Sequence, residues 1–159
     1  MLKQIHVYDL DGVLVDTSHR YRNTPEGTID LAYWLENRTA KAMKKDRVLP
    51  LAKQYQADVR NPEIYTVICT AREYHTLDIA WIWGFLGAPD KLIMRPEKDD
   101  RPDAELKAAK LGSLFSLKQF SKLPRKFWDD NPRNLHGCRH LFDEMFHIHS
   151  HISGVDGNA

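Results

Sequence analysis

The chain has 159 residues, of which 42% are hydrophobic and 28% are charged, with eight glycines and eight prolines. This length suits one globular domain, and the composition excludes wholesale disorder, collagen-like repeats and a small disulfide-held fold. The 23 basic and 22 acidic side chains give a net charge of +1, so an anionic ligand would have to be held by a local site rather than by an overall field.

Five short apolar runs alternate with helical patterns, which predicts a mainly parallel α/β sheet with helices on both faces. The runs cover residues 4–8, 65–69, 91–94, 126–128 and 145–149. All but the last lead straight into polar residues. Because ligands of open α/β sheets bind beyond the carboxyl ends of the strands, we expect these polar residues to form the functional site.

The segments between the strands predict helices. Residues 29–43 have amphipathic spacing and residues 48–55 form a second helical stretch, so we expect a small helical insertion, or cap, over 15–61. Further helices are predicted over 73–86, ended by Gly87, and over 104–111, ended by Gly112. We expect a single domain over 1–152 and a flexible tail over 153–159.

Neither the cysteines nor the amino-terminal segment predicts an extracellular or membrane protein. Cys69 and Cys138 are far apart and match no metal-binding spacing, which is typical of a reducing compartment. The chain reaches Asp9 without a long apolar stretch, so neither a signal peptide nor a spanning helix is predicted. We expect a cytoplasmic protein that does not bind membranes.

The first run ends in Asp9-Leu10-Asp11-Gly12, and the alternation of an extended chain puts Asp9 and Asp11 on the same side. Two carboxylates about 4 Å apart repel each other by about 4 kcal/mol at an effective dielectric constant near 20, so the pair needs a proton or a cation. The alternative is a solvated turn in which Gly12 supplies a positive φ.

Two later strand ends add further polar groups. Thr70 and Arg72 offer a hydroxyl and a guanidinium suited to phosphate oxygens, although Thr70 could instead cap a helix starting near Glu73. Asp129 and Asp130 form a second acidic pair, whose alternative is an Asx turn or helix cap before a proline.

The combination favours a metal site over separate turns and caps. Four aspartates at neighbouring strand ends need compensation, which a hard divalent ion with oxygen ligands provides, and Mg²⁺ is the natural candidate. Lys107, by itself typical of a solvated surface lysine, could contribute the remaining positive charge.

In order and spacing, these residues resemble the four motifs of the haloacid dehalogenase (HAD) superfamily of phosphohydrolases. The matching segments are DLDGVLVDT from Asp9, VICTAR from Val67, Lys107, and FWDDN from Phe127. The resemblance implies a Rossmann-like three-layer sandwich with a five-stranded sheet of order 5-4-1-2-3. It also implies an aspartyl-phosphate mechanism that requires Mg²⁺.

The resemblance implies roles for the residues of the first motif. Asp9 would be the nucleophile and a metal ligand. The Leu10 backbone carbonyl would be another ligand, with the Asp11 carbonyl as an alternative. Asp11 would act as general acid and base, which requires a pKa raised by its neighbours.

The other motifs would hold the substrate and the ion. Thr70 and Lys107 would contact the phosphoryl group, and Asp129 and Asp130 would position Mg²⁺. Further residues would contact or support the substrate, namely Ala71, Arg72 and Arg95.

A narrower resemblance links Met94-Arg95, Asp100-Arg101-Pro102-Asp103 and Leu106-Lys107 to the phosphatase domain of bacteriophage-type polynucleotide kinases. It implies removal of phosphate from nucleic-acid 3′ ends or nucleotides, and it favours Lys107 over Lys110. A GxxxxGK[ST] loop is absent from the sequence, so no kinase domain is expected in this chain.

Several alternatives stay open from sequence. The substrate could be a small metabolite or a deoxynucleotide, the domain could be a non-catalytic phosphate sensor, or the carboxylates could serve a metal nuclease. The alternating His147, His149 and His151 could bind a metal, although an edge strand with polar residues facing water is the favoured interpretation.

Overall fold

The computed structural model describes residues 1–149 of the chain. Its centre is a parallel five-stranded sheet of order β7-β6-β1-β4-β5. Two further short strands, β2 and β3, form a separate antiparallel ribbon. When only the five sheet strands are counted, the order is the predicted 5-4-1-2-3, and the predicted fold class is confirmed. The strands are β1 Gln4–Tyr8, β2 Val15–Asp16, β3 Arg47–Val48, β4 Ile64–Glu73, β5 Lys91–Arg95, β6 Arg125–Asp129 and β7 Glu144–His147.

Helices cover both faces of the sheet. They are α1 Leu31–Glu36, α2 Ala40–Met43, α3 Ala52–Val59, α4 Thr76–Trp81, α5 Asp103–Phe115 and α6 Pro132–Cys138. The central strand β1 is buried on both sides, with Ile5 and Val7 in one apolar cluster and Tyr8 in the other. The two clusters make the sheet the middle of three layers, with β5 and β7 as its partly exposed edges.

The predicted helix over 29–43 is divided into α1 and α2. Asp30 caps the first by accepting from the Tyr33 amide at 3.1 Å, and Thr39 caps the second by accepting from the Ala42 amide at 3.1 Å. Between them, Asn37 donates its side-chain amide to the Tyr33 carbonyl. Because each short helix has its own cap, the chain turns at 37–39 and places α1 over the ends of the strands.

Three other helix predictions were wrong at their boundaries. The stretch predicted over 48–55 begins in strand β3, and its helix is α3, Ala52–Val59. The segment 73–86 begins as strand, since β4 continues to Glu73, and its helix α4 passes into a π-helical turn, Ile82–Leu86, before Gly87 at φ 97°. Helix α5 runs through Gly112 to Phe115, because Leu111 and Leu114 are buried against the sheet and their packing outweighs the low helix propensity of glycine.

A strand pair and an ion pair hold the insertion together, and a backbone bond joins it to the residue before it. Strands β2 and β3 pair with each other, and the Leu49 amide donates to the Leu14 carbonyl at 2.9 Å. The fully buried Arg20 donates to both oxygens of Asp46 at 2.9 Å. Helix α3 of the insertion is in turn tied to β1, because Asp58 accepts the Tyr8 hydroxyl and Gln54 donates to it.

Within residues 1–149, no helix combines the length and the apolar character that a membrane crossing requires. The predicted tail over 153–159 and His151 lie outside the described residues. Strand β7 ends at His147, two residues earlier than predicted.

Candidate active site

Three charged side chains meet at the carboxyl ends of β1 and β6. Lys107 projects from α5 and donates from Nζ to Asp9 Oδ1 and to Asp129 Oδ2, both at 2.8 Å. All three side chains are buried, with Lys107 and Asp129 almost fully enclosed. The structure therefore brings Lys107 into the site, where its ammonium neutralises one of the two carboxylates that it contacts.

Asp130 is the third carboxylate of this group, and Gly12 makes room for it. Gly12 has φ 78°, and a Cβ built on it would lie 2.2 Å from Asp130 Oδ2. A side chain at position 12 would therefore collide with the carboxylate as well as strain the backbone. The glycine of the first motif allows the β1 loop and the β6 loop to touch.

The acidic centre consists of Asp9, Asp129 and Asp130, and one oxygen from each lies within 4.8 Å of the others. Burial, followed by the charges of Asp129 and Asp130, raises the pKa of Asp9 well above its ordinary value even though Lys107 opposes the shift. Burial also raises the pKa of Asp130 to about 6. Conversely, these carboxylates outweigh burial and raise the pKa of Lys107. Negative charge is therefore in excess here.

The composition of this centre fits Mg²⁺. All its donors are carboxylate oxygens, the ligand type that hard divalent cations prefer. Three carboxylates face one ammonium, so a cation would remove repulsion that Lys107 leaves uncompensated. The residues that could hold the ion are Asp9, Asp129 and Asp130, as the sequence predicted.

The backbone ligand predicted at Leu10 is not favoured by the structure. Its carbonyl accepts the amides of Leu14 at 2.9 Å and Val15 at 3.1 Å, with Val13 at 3.3 Å. These hydrogen bonds already occupy the Leu10 carbonyl oxygen within the turn. The alternative, the Asp11 carbonyl, accepts none of the backbone bonds found among residues 1–149, so it is the backbone ligand that we retain.

Asp11 belongs to a second charged group, which it forms with Arg72 and Asp78. We call this group the guanidinium cluster. Arg72 donates from Nη2 and Nε to the two oxygens of Asp11 at 2.6 and 2.8 Å, and from Nη1 to Asp78 at 2.8 Å. Burial raises the pKa of Asp11, but Arg72 and the Thr17 hydroxyl outweigh it and the pKa lies below its ordinary value. The expectation of a raised pKa at Asp11 was wrong, because Arg72 pairs with that carboxylate.

Of the predicted substrate contacts, Thr70 lies in the site, whereas Arg72 and Arg95 are bonded to other groups of the protein. Thr70 lies within β4, where its hydroxyl accepts the Arg72 amide at 3.2 Å, and His75 caps α4 instead. Arg95 is engaged by the protein. Its Nε donates to the Ala71 carbonyl at 2.9 Å, and its other nitrogens hold the loop 99–103. With Arg72 also paired, both arginines support the site, and neither has a free guanidinium for substrate.

Sequence reasoning missed two residues that hold the carboxylates. Asn134 donates from Nδ2 to both oxygens of Asp129, at 3.3 and 3.2 Å, and the Thr17 hydroxyl donates to Asp11 at 2.8 Å. Thr17 is the last residue of the first motif, and Asn134 lies one helical turn after the cap residue Asn131, so spacing could have indicated both. The Asx turn and cap are present too: Asp129 accepts the Asn131 amide, and Asn131 caps α6.

A cavity of about 1110 Å³ opens above the strand ends. The floor of this cavity contains the predicted Asp9, Asp11, Thr70, Lys107 and Asp130, whereas one side is formed by the insertion. The site is therefore large enough for an organic phosphate and accessible to one.

The described histidines near the carboxyl end, His147 and His149, contact each other and the backbone of Asp130. The His147 and His149 rings are 4.3 Å apart, and His147 Nε2 lies 3.1 Å from the Asp130 carbonyl oxygen. Among residues 1–149, the group whose geometry could hold an ion contains neither histidine. A metal-binding role for these histidines stays an open question from sequence.

Comparisons with known proteins give one family. The family model described as bacteriophage T5 5′-deoxynucleotidase matches residues 1–83, about half of the chain. No curated protein matches the chain in sequence.

Several solved structures share the fold. A chain of the Pnkp1/Rnl/Hen1 RNA repair complex superposes with a TM-score of 0.65 at 20% identity, over 92% of this chain and 42% of that one. The chain thus spans less than half the length of that relative. A haloacid dehalogenase-like hydrolase from Streptococcus pneumoniae gives 0.63 at 11% identity, over 89% and 83%. The HAD domain of effector protein Lem4 from Legionella pneumophila gives 0.52 at 16% identity, over 92% and 86%.

Proposed function

The chain belongs to the bacteriophage T5 5′-deoxynucleotidase family, and from this premise we propose that it removes phosphate from deoxynucleoside 5′-monophosphates with the help of Mg²⁺. The broader class predicted from sequence, a HAD-type phosphatase, is confirmed by the family and the shared fold. The preferred substrate follows the family description, so it replaces nucleic-acid 3′ ends as the first candidate.

One observation carries the proposal: Asp9 lies at the floor of the cavity, bonded to Lys107 and adjacent to two further carboxylates. A carboxylate at this place can attack phosphorus through the oxygen that Lys107 does not hold. Lys107 keeps the attacking group oriented and offers positive charge to the phosphoryl oxygens. A carboxylate that only capped a turn would need neither the buried ammonium nor the cavity.

The proposed reaction has two steps. Asp9 attacks the phosphoryl group, the bond between phosphorus and the nucleoside 5′-oxygen breaks, and that oxygen takes a proton from Asp11 as the aspartyl-phosphate forms. Water then hydrolyses the aspartyl-phosphate and releases inorganic phosphate. Asp11 serves as the acid and base, and Arg72 favours its charged form, which is the form that accepts the proton of the attacking water. Thr70 lines the cavity and can donate its hydroxyl to a phosphoryl oxygen.

Mg²⁺, held by Asp9, Asp129, Asp130 and the Asp11 carbonyl, would neutralise the negative charge of the phosphate and of the centre. The protein residues would fix its place through their own hydrogen bonds. Asn134 and the Asn131 amide hold the carboxylate of Asp129. This support orients one ligand before any cation arrives.

Release of phosphate from three substrates tests the proposal. We expect the purified chain with Mg²⁺ to hydrolyse a deoxynucleoside 5′-monophosphate faster than a 3′-phosphorylated oligonucleotide or a sugar phosphate. Asp9→Asn should lose about 10⁴-fold or more in kcat, because it removes the nucleophile. Glu97→Gln, which changes an exposed carboxylate in the loop after β5, is the control and should keep full activity. Full turnover by Asp9→Asn would reject the mechanism.

The rival functions give distinct outcomes in the same assays. Fastest hydrolysis of the 3′-phosphorylated oligonucleotide would restore the nucleic-acid end as substrate. A phosphate sensor would accumulate a lasting phosphoenzyme, or a beryllofluoride adduct on Asp9, without turnover. A metal nuclease would cleave internal phosphodiesters with no phosphoenzyme, and Asp9→Asn would then leave no difference in acid-stable phosphate on the protein.

A further inference from the structure

The insertion presents an apolar surface that the core does not absorb. Leu31 and Leu35 lie one turn apart on the same face of α1, and they are 60% and 46% exposed. Ile29, just before the helix, is 49% exposed. All three line the cavity whose floor contains Asp9. We call Ile29, Leu31 and Leu35 the apolar wall.

The position of the apolar wall is unusual for a helix of a globular protein. An amphipathic helix normally turns its apolar face toward the core, because burial of that face supplies most of its stability. Here Trp34, on the same side of α1, is buried, whereas the leucines on either side of it are exposed to the cavity. Exposed apolar side chains beside a cluster of polar groups are typical of a ligand-binding surface.

The wall is held in place by contacts beneath it. The Trp34 ring lies under the guanidinium of Arg20, whose Cζ is 4.4 Å from the ring centroid, and the Arg72 Cζ is 5.3 Å away. Arg20 is bonded to Asp46, and Arg72 is bonded to Asp11. The side chains of Trp34 and Arg72 thus connect the apolar wall to Asp11 in the β1 loop. Ile29 is fixed by a backbone bridge to Asn23.

We propose that the apolar wall binds the nucleobase of the substrate while its phosphate lies at Asp9. This inference rests on the proposed function and names the part of the site that separates a nucleotide from other phosphomonoesters. The floor of the cavity is polar, whereas the apolar wall lies on the side formed by the insertion, next to the polar Asn23 and Arg38. The volume of about 1110 Å³ exceeds what a phosphate group needs. A molecule with a phosphate at one end and a flat, weakly polar ring at the other matches both ends.

The test compares two substrates that differ only by the base, a deoxynucleoside 5′-monophosphate and 2-deoxyribose 5-phosphate. We expect the unaltered chain to prefer the nucleotide by at least about tenfold in kcat/KM, as for one well-buried ring face. The double variant Leu31→Asn with Leu35→Asn should lose this preference through a higher KM for the nucleotide. Because both side chains are exposed, the substitutions should leave the thermal unfolding temperature within about 2 °C.

Leu117→Asn provides the matched control. Leu117 is 45% exposed, like Leu35, but it follows α5 and does not line the cavity. This variant should keep the preference of the unaltered chain. An equal loss on both substrates in the wall variant would overturn the inference, since the wall would then only support the site. An unaltered chain that hydrolyses both substrates equally well would overturn it too.

Two further measurements distinguish a base-binding wall from a dimer interface and from a site without turnover. If light scattering shows a dimer that the wall variant converts to monomer without a change in substrate preference, the wall is an interface between copies and the inference fails. If no monoester is hydrolysed at all, the proposed function fails, and the wall is judged by equilibrium binding of the same two compounds. If the wall variant binds the nucleotide about tenfold more weakly and 2-deoxyribose 5-phosphate as before, the inference is supported. If the unaltered chain binds the two compounds with equal affinity, the inference is overturned.

Discussion

The acidic centre and the guanidinium cluster share the loop after β1, which supplies Asp9 to the first and Asp11 to the second, and they differ in charge balance. In the acidic centre, the single ammonium of Lys107 faces the carboxylates of Asp9, Asp129 and Asp130. In the guanidinium cluster, Arg72 directs three nitrogens at two carboxylates, so that each of these nitrogens has an acceptor. The acidic centre has two more carboxylates than cations, whereas the guanidinium cluster has one more, and Arg72 bonds directly to both of its carboxylates.

This difference separates a site that needs a ligand from one that does not. An unbalanced set of buried carboxylates stays unfavourable until a cation or a proton joins it. A guanidinium in direct contact with two carboxylates offsets its desolvation within the folded protein and fixes geometry. Sequence alone cannot tell these groups apart, since each is a set of aspartates beside a basic residue.

Removal of Lys107 gives the largest expected effect. Lys107→Met leaves Asp9 and Asp129 without their shared donor, so the metal-free protein should lose about 3–5 kcal/mol in the free energy of unfolding. We expect kcat to fall by about 10³-fold or more, because the phosphoryl oxygens lose a fixed positive charge. Denaturant unfolding and phosphate release measure the two effects. The control is Lys110→Met, less than one turn further along α5 and only partly buried, which should change neither.

Removing the charge of Asp78 from the guanidinium cluster should lower the free energy of unfolding. Asp78→Asn keeps the shape and an acceptor oxygen but removes a buried charge from Arg72, and we expect a loss of about 2–3 kcal/mol in the free energy of unfolding. Urea unfolding checks this, and the exposed Asp100→Asn is the control. A loss below about 0.5 kcal/mol would mean that the cluster contributes nothing beyond an exposed ion pair.

Neutralising one carboxylate of the acidic centre should instead raise the free energy of unfolding. Asp130→Asn relieves repulsion among the carboxylates, so the metal-free protein should gain about 1–2 kcal/mol in the free energy of unfolding while turnover falls. The expected combination is higher stability with lower activity. If Asp130→Asn instead destabilises the metal-free protein as Asp78→Asn does, the two groups are alike and the distinction between them fails.

The smallest expected effect concerns pH. The pKa of Asp130 is raised to about 6, above its value in the unfolded chain, so the folded protein holds this proton until the pH rises through about 6. Ionisation of Asp130 therefore lowers the free energy of unfolding of the metal-free protein as the pH rises from about 4 to 6. Because Mg²⁺ would have to displace this proton, its apparent affinity should fall about fivefold from pH 6 to pH 5. Calorimetric titration measures it, and Asp130→Asn should flatten the dependence.

The site residues that could be predicted from sequence were those whose position follows from strand ends. Asp9, Thr70 and Asp129 come at the ends of apolar runs, and parallel strands bring their carboxyl ends to one edge. The order of the five strands followed from the family resemblance. Lys107 required that resemblance too, because its helix carries a second lysine, Lys110, in a similar local pattern.

The partners of these residues could not be predicted. Arg72 was expected to face substrate, yet it is paired with Asp11 and Asp78, and Arg95 holds a loop. Arg20 and Trp34 lie outside the motifs in sequence and became part of the site only through the folding of the insertion. Pairing of this kind depends on distances between elements, which residue spacing within one element does not determine.

By itself, the sequence determined the strand runs, the acidic residues that follow them and the class of chemistry that such residues serve, because these features depend on local periodicity and residue type. The tertiary structure decided the direction in which the pKa values of Asp11 and Asp130 shift, the hydrogen bonds that occupy the Leu10 carbonyl, and the exposure of the apolar wall to the cavity. Those properties depend on which charges and surfaces meet across the fold, and the energy of each is set by distance and burial.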